Sequence, residues 1–221
     1  MERAPSVIGL LFGLSLAAII VLLGPLLLFN PLFTSALQVR HGVAAELGTT
    51  QAEVERVTGS YLADIYLDGD FAASLDGDGP LLDESERSHM TDVSRLVRLL
   101  AGILVIAVVV AGVAGAWLRH EPRRQARIMF LAAGAIGALA VVLAILFAVA
   151  FEPVFLAFHK LFFTPGTYLF AAGSELIVLF PEPFWFDAAL LAGAAIVLVA
   201  VVVSVIGWWR WRSARTTPTS A

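Results

Sequence analysis

Four long apolar runs, separated by polar segments, dominate the hydrophobic pattern of this chain. They cover residues 6–29, 96–118, 128–151 and 187–209. The hydrocarbon core of a bilayer is about 30 Å thick and is crossed by about 20 apolar residues in a helix. Each run is that long, so the pattern predicts an all-α membrane protein with four transmembrane helices. The whole chain, residues 1–221, is expected to form a single integral membrane domain.

The polar segments between the runs differ in charge. Residues 119–127 contain four arginines and one glutamate, and the tail, residues 210–221, contains three arginines and no acid. Short connections rich in arginine stay in the cytoplasm. We therefore expect both termini in the cytoplasm, and residues 30–95 and 152–186 as extracytoplasmic loops.

The first extracytoplasmic loop is predicted to be small and partly helical. Thr50 and Glu53 have the spacing of a capping box. Apolar side chains follow at helical spacing, at Val54, Val57, Tyr61 and Ile65. Asp83 and Glu86 mark a second helix start. No helix breaker separates it from the second apolar run, so one continuous helix is expected over residues 84–118.

The second extracytoplasmic loop is rich in phenylalanine. Its apolar pieces, residues 154–163 and 175–186, are too short to cross a bilayer. Aromatic side chains suit the headgroup level of a membrane, so we expect these pieces in the outer interface.

The composition excludes several classes of chemistry. The chain is 59% hydrophobic and has no cysteine, which rules out disulfides, iron–sulfur clusters and a cysteine acyl-enzyme. No basic groove with interleaved aromatics is present, so no nucleic acid partner is expected. No cofactor and no bound metal are predicted. No charged residue lies deep in an apolar run, which disfavours coupled transport.

Two of the four histidines are candidates for catalysis. His89 and His159 fall on the predicted outer side near the interface, and His159 interrupts a segment rich in phenylalanine. Moving an ionisable group to that depth costs desolvation free energy, which must be offset. The histidines can be there for a function, or each ring can simply satisfy a neighbouring backbone carbonyl, and the sequence leaves both explanations open. His41 is expected to be a solvated loop residue, and His120 a polar member of the arginine cluster.

Four charged residues are possible supporting groups. Asp92 can orient His89 or solvate the helix surface. Glu152 can cap the short helix that follows it. Glu86 and Arg87 can support the site or form an ion pair at the helix start.

Two segments carry distinctive motifs. Residues 85–93 read Ser-Glu-Arg-Ser-His-Met-Thr-Asp-Val, and residues 158–163 read Phe-His-Lys-Leu-Phe-Phe, followed by Leu-Ile-Val-Leu-Phe-Pro-Glu-Pro-Phe-Trp at residues 176–185. These motifs resemble two signatures of a bacterial membrane family, the lipoprotein intramolecular transacylases. The layout of four spans and two outer loops is similar over the whole chain. The chain departs from the family at Tyr168 and Leu169, where an aromatic, often tryptophan, is expected.

The resemblance implies a location and a reaction. The protein would be a multi-pass protein of the bacterial cytoplasmic membrane with its active site on the extracytoplasmic side. It would act on diacylglyceryl-modified lipoproteins within the membrane lipid, moving the sn-2 acyl chain of the lipidated cysteine to that cysteine's own α-amino group. His89 and His159 match the two key histidines. His89 would be the general base, oriented by Asp92, and His159 would polarise the ester, although these roles can be exchanged.

Three other functions remain open from the sequence. The chain can be a related lipid-modifying membrane enzyme with another substrate. It can be a metal-dependent membrane hydrolase that uses His41, His89, His159 and an acid as ligands. It can also be a non-enzymatic membrane assembly protein.

Overall fold

A computed structural model describes residues 6–75, 77 and 79–213, and their regular secondary structure is entirely helical. The helices are α1 (Ser6–Leu27), α2 (Pro31–Arg40), α3 (Val43–Glu46), α4 (Gln51–Leu67), α5 (Glu84–Trp117), α6 (Pro122–Val149), α7 (Phe151–Phe162), α8 (Glu175–Leu179) and α9 (Glu182–Ser213). The all-α prediction is confirmed. The predicted tail, residues 210–221, lies outside the described residues from position 214 onward.

Four of these helices, α1, α5, α6 and α9, are long and apolar enough to cross a membrane. The expected continuous helix from residue 84 is confirmed, because α5 runs for 34 residues. At about 1.5 Å per residue, α5 is about 50 Å long, which exceeds the bilayer core of about 30 Å. Its polar first turns, which contain His89, therefore extend beyond the apolar segment. The assignment of each segment to a side of the membrane stays a prediction.

The chain divides into two compact units. One unit contains the described parts of residues 1–24, 101–145 and 192–221. Its helices approach closely at glycines. A Cβ atom at Gly24 would lie 2.6 Å from Ile196, and one at Gly207 would lie 2.6 Å from the backbone nitrogen of Phe130. Larger residues at these two positions would force α9 away from its neighbours.

The other unit contains residues 25–100 and 146–191, apart from positions 76 and 78, and it has its own hydrophobic core. The apolar face predicted for α4 is buried in this core, with each of its residues at most 1% exposed: Val54, Val57, Tyr61 and Ile65. Thr50 caps α4 as expected, since its side chain accepts a hydrogen bond from the backbone nitrogen of Glu53 at 3.3 Å.

Glu86 joins the start of α5 to the start of α8. Its side chain is fully buried, and its Oε1 accepts a hydrogen bond from the backbone nitrogen of Leu176 at 2.9 Å. Its Oε2 accepts from the backbone nitrogen of Asp83 at 2.9 Å, and Asp83 accepts from the nitrogen of Glu86 at 2.8 Å. The predicted helix start is thus confirmed, and one carboxylate also holds a segment 90 residues away.

Replacing Glu86 by alanine should destabilise this unit. Two backbone donors would lose their acceptor, and hydrogen bonds to a charged group are each worth about 1.5–3 kcal/mol. We expect a clear fall in the apparent melting temperature of the detergent-purified protein. Glu84→Ala is the matched control, because Glu84 is exposed in the same helical turn. Equal melting temperatures for the two variants would contradict this role.

Candidate active site

The two histidines predicted from the sequence lie next to each other. The ring of His89 on α5 and the ring of His159 on α7 have centroids 6.1 Å apart, with an angle of 25° between their planes. Both residues belong to the unit built from residues 25–100 and 146–191. A small polar reactant can therefore contact both imidazoles at once.

His159 has a defined tautomer. Its Nδ1 lies 2.8 Å from the backbone oxygen of Phe155, one turn earlier in α7. A carbonyl oxygen can only accept, so Nδ1 carries the proton and donates it. In the neutral ring, Nε2 then keeps its lone pair and is free to accept a proton.

The side chain of His89 is more deeply buried than that of His159. It is 6% exposed, and its Nδ1 is buried without a hydrogen-bond partner. A buried N–H without an acceptor is rarer in proteins than an unpaired acceptor. The favoured tautomer of His89 therefore has its proton on Nε2, which makes this nitrogen a donor.

Aromatic side chains surround the imidazole pair. Phe163 contacts both rings, at centroid distances of 4.9 Å from His89 and 5.5 Å from His159. Phe170 packs on His89 at 5.5 Å. Three more rings pack on His159, namely Phe155, Phe158 and Tyr168. This apolar shell disfavours a charged imidazolium.

Burial in this aromatic shell determines the charge of His159. Burial lowers the pKa of His159 below its ordinary value of 6.5, and the hydrogen bond to the Phe155 carbonyl opposes part of the shift. The ring is therefore neutral at pH 7, which is the form that a general base requires.

Three of the candidate supporting residues, Glu86, Arg87 and Asp92, lie in the first turns of α5, and none of them is hydrogen-bonded to the imidazole of His89. Glu86 binds backbone nitrogens and makes no ion pair with Arg87. Arg87 lies two positions from His89, and residues at that spacing do not share a helix face. Its Nε is buried without a hydrogen-bond partner. Asp92 pairs with Arg95 at 2.8 Å, so its carboxylate is engaged away from the unpartnered Nδ1 of His89.

Glu152 does not cap α7 as expected. The cap position is Ala150, which makes no side-chain hydrogen bond, and Glu152 lies in the first turn. A negative charge there is favourable because the helix N-terminus is positive. Glu152 instead lines a cavity of about 610 Å³, together with Glu182 and Asp187. Neither His89 nor His159 lines this cavity.

The other two histidines lie elsewhere. His41 is not a solvated loop residue, because its half-buried ring lies 3.0 Å from Oδ2 of Asp187, which also binds Arg40 at 2.8 Å. His120 is exposed and accepts from Arg119 at 3.0 Å. Among the residues described, no group of three or more His, Asp or Glu side chains has the arrangement of a metal site.

Phe163 and Phe170, the rings that pack on His89, were not identified from the sequence. Phe163 had a local signal, since it lies four positions after His159 on the α7 side of the loop. Phe170 had none, because its contact with His89 joins positions 81 residues apart.

The family model for the lipoprotein intramolecular transacylase Lit matches residues 7–185. This match covers most of the sequence, so the chain belongs to the lipoprotein intramolecular transacylases, a family of enzymes. Among curated proteins, no sequence matches the chain.

Solved structures give a similar fold. The membrane-integral lipoprotein intramolecular transacylase Lit from Bacillus cereus matches with a TM-score of 0.80 and 18% identity, over 96% of this chain and 98% of that chain. A histidine-to-arginine variant of the same protein matches with a TM-score of 0.78 at 18% identity, over 96% of this chain and 94% of that one. A histidine-to-alanine variant gives the same TM-score and identity, with 96% of each chain covered. At this identity, the similarity establishes the fold.

The lowered pKa of His159 predicts a pH-dependent stability. The unfolded chain protonates this ring near pH 6.5 and the folded chain only at lower pH, so the unfolded state binds more protons in between. The contribution of His159 to the free energy of unfolding should therefore be fully present above pH 6.5 and should fall as the pH decreases below that value. We expect a smaller drop of apparent melting temperature between pH 7.5 and pH 5 in His159→Gln than in the wild type. His120→Gln should keep the wild-type slope, and an unchanged slope in His159→Gln would contradict the prediction.

Proposed function

We propose that this protein moves the sn-2 acyl chain of a diacylglyceryl-cysteine lipoprotein to the α-amino group of the same cysteine, which yields a lyso-form lipoprotein. An amide C–N bond forms, the ester C–O bond breaks, and a proton passes from the amine to the glyceryl oxygen. The supporting observation is the pair of imidazoles 6.1 Å apart in an aromatic shell, in a chain of this enzyme family.

The reaction needs little beyond positioning and proton transfer. The ester and the amine belong to one molecule, and effective molarities for well-placed intramolecular attack reach about 10⁵ M or more. Direct attack by the amine requires no nucleophile from the enzyme. This agrees with a chain that has no cysteine to form an acyl-enzyme.

His159 is the better general base. Its Nδ1 proton is donated to the Phe155 carbonyl, so the lone pair of Nε2 is available for the amine proton. The protonated ring can then return this proton to the leaving glyceryl oxygen. This assignment exchanges the two roles first expected from the sequence.

His89 is better suited than His159 to polarise the ester carbonyl. The proton favoured on its Nε2 can be donated to the carbonyl oxygen of the ester as negative charge develops there. Its buried, unpartnered Nδ1 gives the ring no route to a carboxylate relay. Asp92 instead pairs with Arg95 on the same helix.

The aromatic shell limits access of water. Hydrolysis of the same ester would compete with transfer to the amine, and closed apolar sites suppress such side reactions. Phe163 is 8% exposed and touches both imidazoles, so it is the side chain best placed for this role.

The site faces the outer leaflet of the bacterial cytoplasmic membrane in this proposal, and both termini are cytoplasmic. The arginines of residues 119–127 favour that orientation. On α7, Phe158, Leu161 and Phe162 are 45%, 76% and 47% exposed, which suits a helix embedded in the interface. Membrane lipid would surround this helix, and a lipoprotein anchored by its acyl chains would approach from the same layer.

Mass spectrometry of a reporter lipoprotein tests the reaction. We expect co-expression with the wild type to convert its N-terminal peptide from the diacylglyceryl form to the N-acyl lyso form. His89→Ala and His159→Ala should each lower conversion by about 10²-fold or more, the usual contribution of a positioned acid or base. His120→Ala is the control and should convert normally. A reporter that stays diacylglyceryl-modified with the wild type would defeat the proposal.

Glutamine variants test the division of roles. The amide nitrogen of glutamine can donate a hydrogen bond near the position of Nε2, but the side chain has no basic lone pair there. His89→Gln should therefore keep at least about tenfold more activity than His159→Gln, because only the base is irreplaceable. The opposite order of activities would restore His89 as the base.

A further inference from the structure

One residue of the aromatic shell has a polar group. Within the described part of the chain, five aromatic side chains pack on the two imidazoles, and Tyr168 alone among them bears a hydroxyl: the others are Phe155, Phe158, Phe163 and Phe170. The Tyr168 ring lies 5.3 Å from the His159 ring, with an angle of 41° between the planes. A phenol beside the reacting groups is a neutral hydrogen-bond donor in otherwise apolar surroundings.

The backbone around Tyr168 is fixed at several points. The hydroxyl of Thr167 donates to the oxygen of Thr164 at 2.9 Å, and the nitrogen of Ser174 donates to the oxygen of Ala171 at 3.0 Å. Beyond this segment, Leu176 is held by Glu86. The segment is therefore braced on both sides of Tyr168.

Side chains alternate along this braced segment. Tyr168 and Phe170 are half-buried against the two imidazoles, whereas Leu169 between them is 68% exposed. Tyr168 thus borders His159 on the same side of the segment from which Phe170 covers His89. The Tyr168 ring thus lies against the His159 ring, and its hydroxyl is the one phenol that the rings packed on the two imidazoles carry, within the described residues.

We infer that the hydroxyl of Tyr168 binds the carbonyl oxygen of the substrate ester and acts as a second donor beside Nε2 of His89. This inference rests on the proposed acyl transfer. Tetrahedral intermediates are stabilised by preorganised donors, and the removal of one donor usually lowers kcat by about 10²–10³-fold. Tyr168 is therefore a catalytic residue that contacts substrate, and the other rings of the shell supply packing.

The test replaces the hydroxyl and keeps the ring. Tyr168→Phe should lower kcat for conversion of a purified diacylglyceryl lipopeptide by about 10²-fold, with a smaller change in KM. Tyr66→Phe is the matched control, because Tyr66 is 44% exposed on α4 and should keep wild-type kinetics. A wild-type kcat for Tyr168→Phe would overturn the inference.

A binding measurement separates this inference from the proposed reaction. The probe is the same lipopeptide with its sn-2 ester replaced by a phosphonate, whose oxygens resemble the tetrahedral intermediate. In nanodiscs, Tyr168→Phe should bind it about tenfold more weakly than wild type and Tyr66→Phe. That result without any acyl transfer by the wild type would refute the reaction and keep the role of Tyr168. Equal affinities, or no binding by the wild type, would overturn the role of Tyr168.

Discussion

A buried carboxylate at the beginning of α5 is the contact on which the site depends. Glu86 accepts a hydrogen bond from the backbone nitrogen of Asp83, just before its own helix. It also accepts one from the backbone nitrogen of Leu176 in α8, far along the chain. A buried charge is costly unless it is hydrogen-bonded, so this position tolerates little else. His89 lies one turn further along the same helix, so this bond connects the helix that carries His89 to the part of the chain that follows Phe170.

The environment of the imidazole pair explains why no carboxylate is bonded to it. A carboxylate beside a histidine favours the charged ring, whereas proton transfer from an amine requires a neutral one. The chain does contain a close histidine–carboxylate pair, His41 with Asp187, which joins the end of α2 to the first turns of α9. At the candidate site the partners are a backbone carbonyl and aromatic faces, which leave His159 neutral at pH 7.

The fold is retained at low sequence identity for a physical reason. A structure similar over 96% of the chain, with a TM-score of 0.80, has only 18% of its residues in common. Spanning segments are constrained by length and hydrophobicity, so Ala, Val, Leu and Ile exchange freely on lipid-facing surfaces. Constraints on residue type are stronger where backbones nearly touch, as at Gly24 and Gly207, and where buried polar groups need partners, as at Glu86.

The sequence by itself determined the helical class, the four apolar helices, the continuous helix from residue 84 and the buried face of α4. These features follow from local periodicity and capping, which a linear pattern records. It also selected His89 and His159, since an ionisable residue near an apolar span stands out by composition. Only the tertiary structure decided that their rings meet, that Phe170 covers one of them, that Asp92 turns to Arg95, and that Glu86 holds Leu176. Such contacts join residues far apart in the chain or depend on rotamers, and no local pattern encodes either.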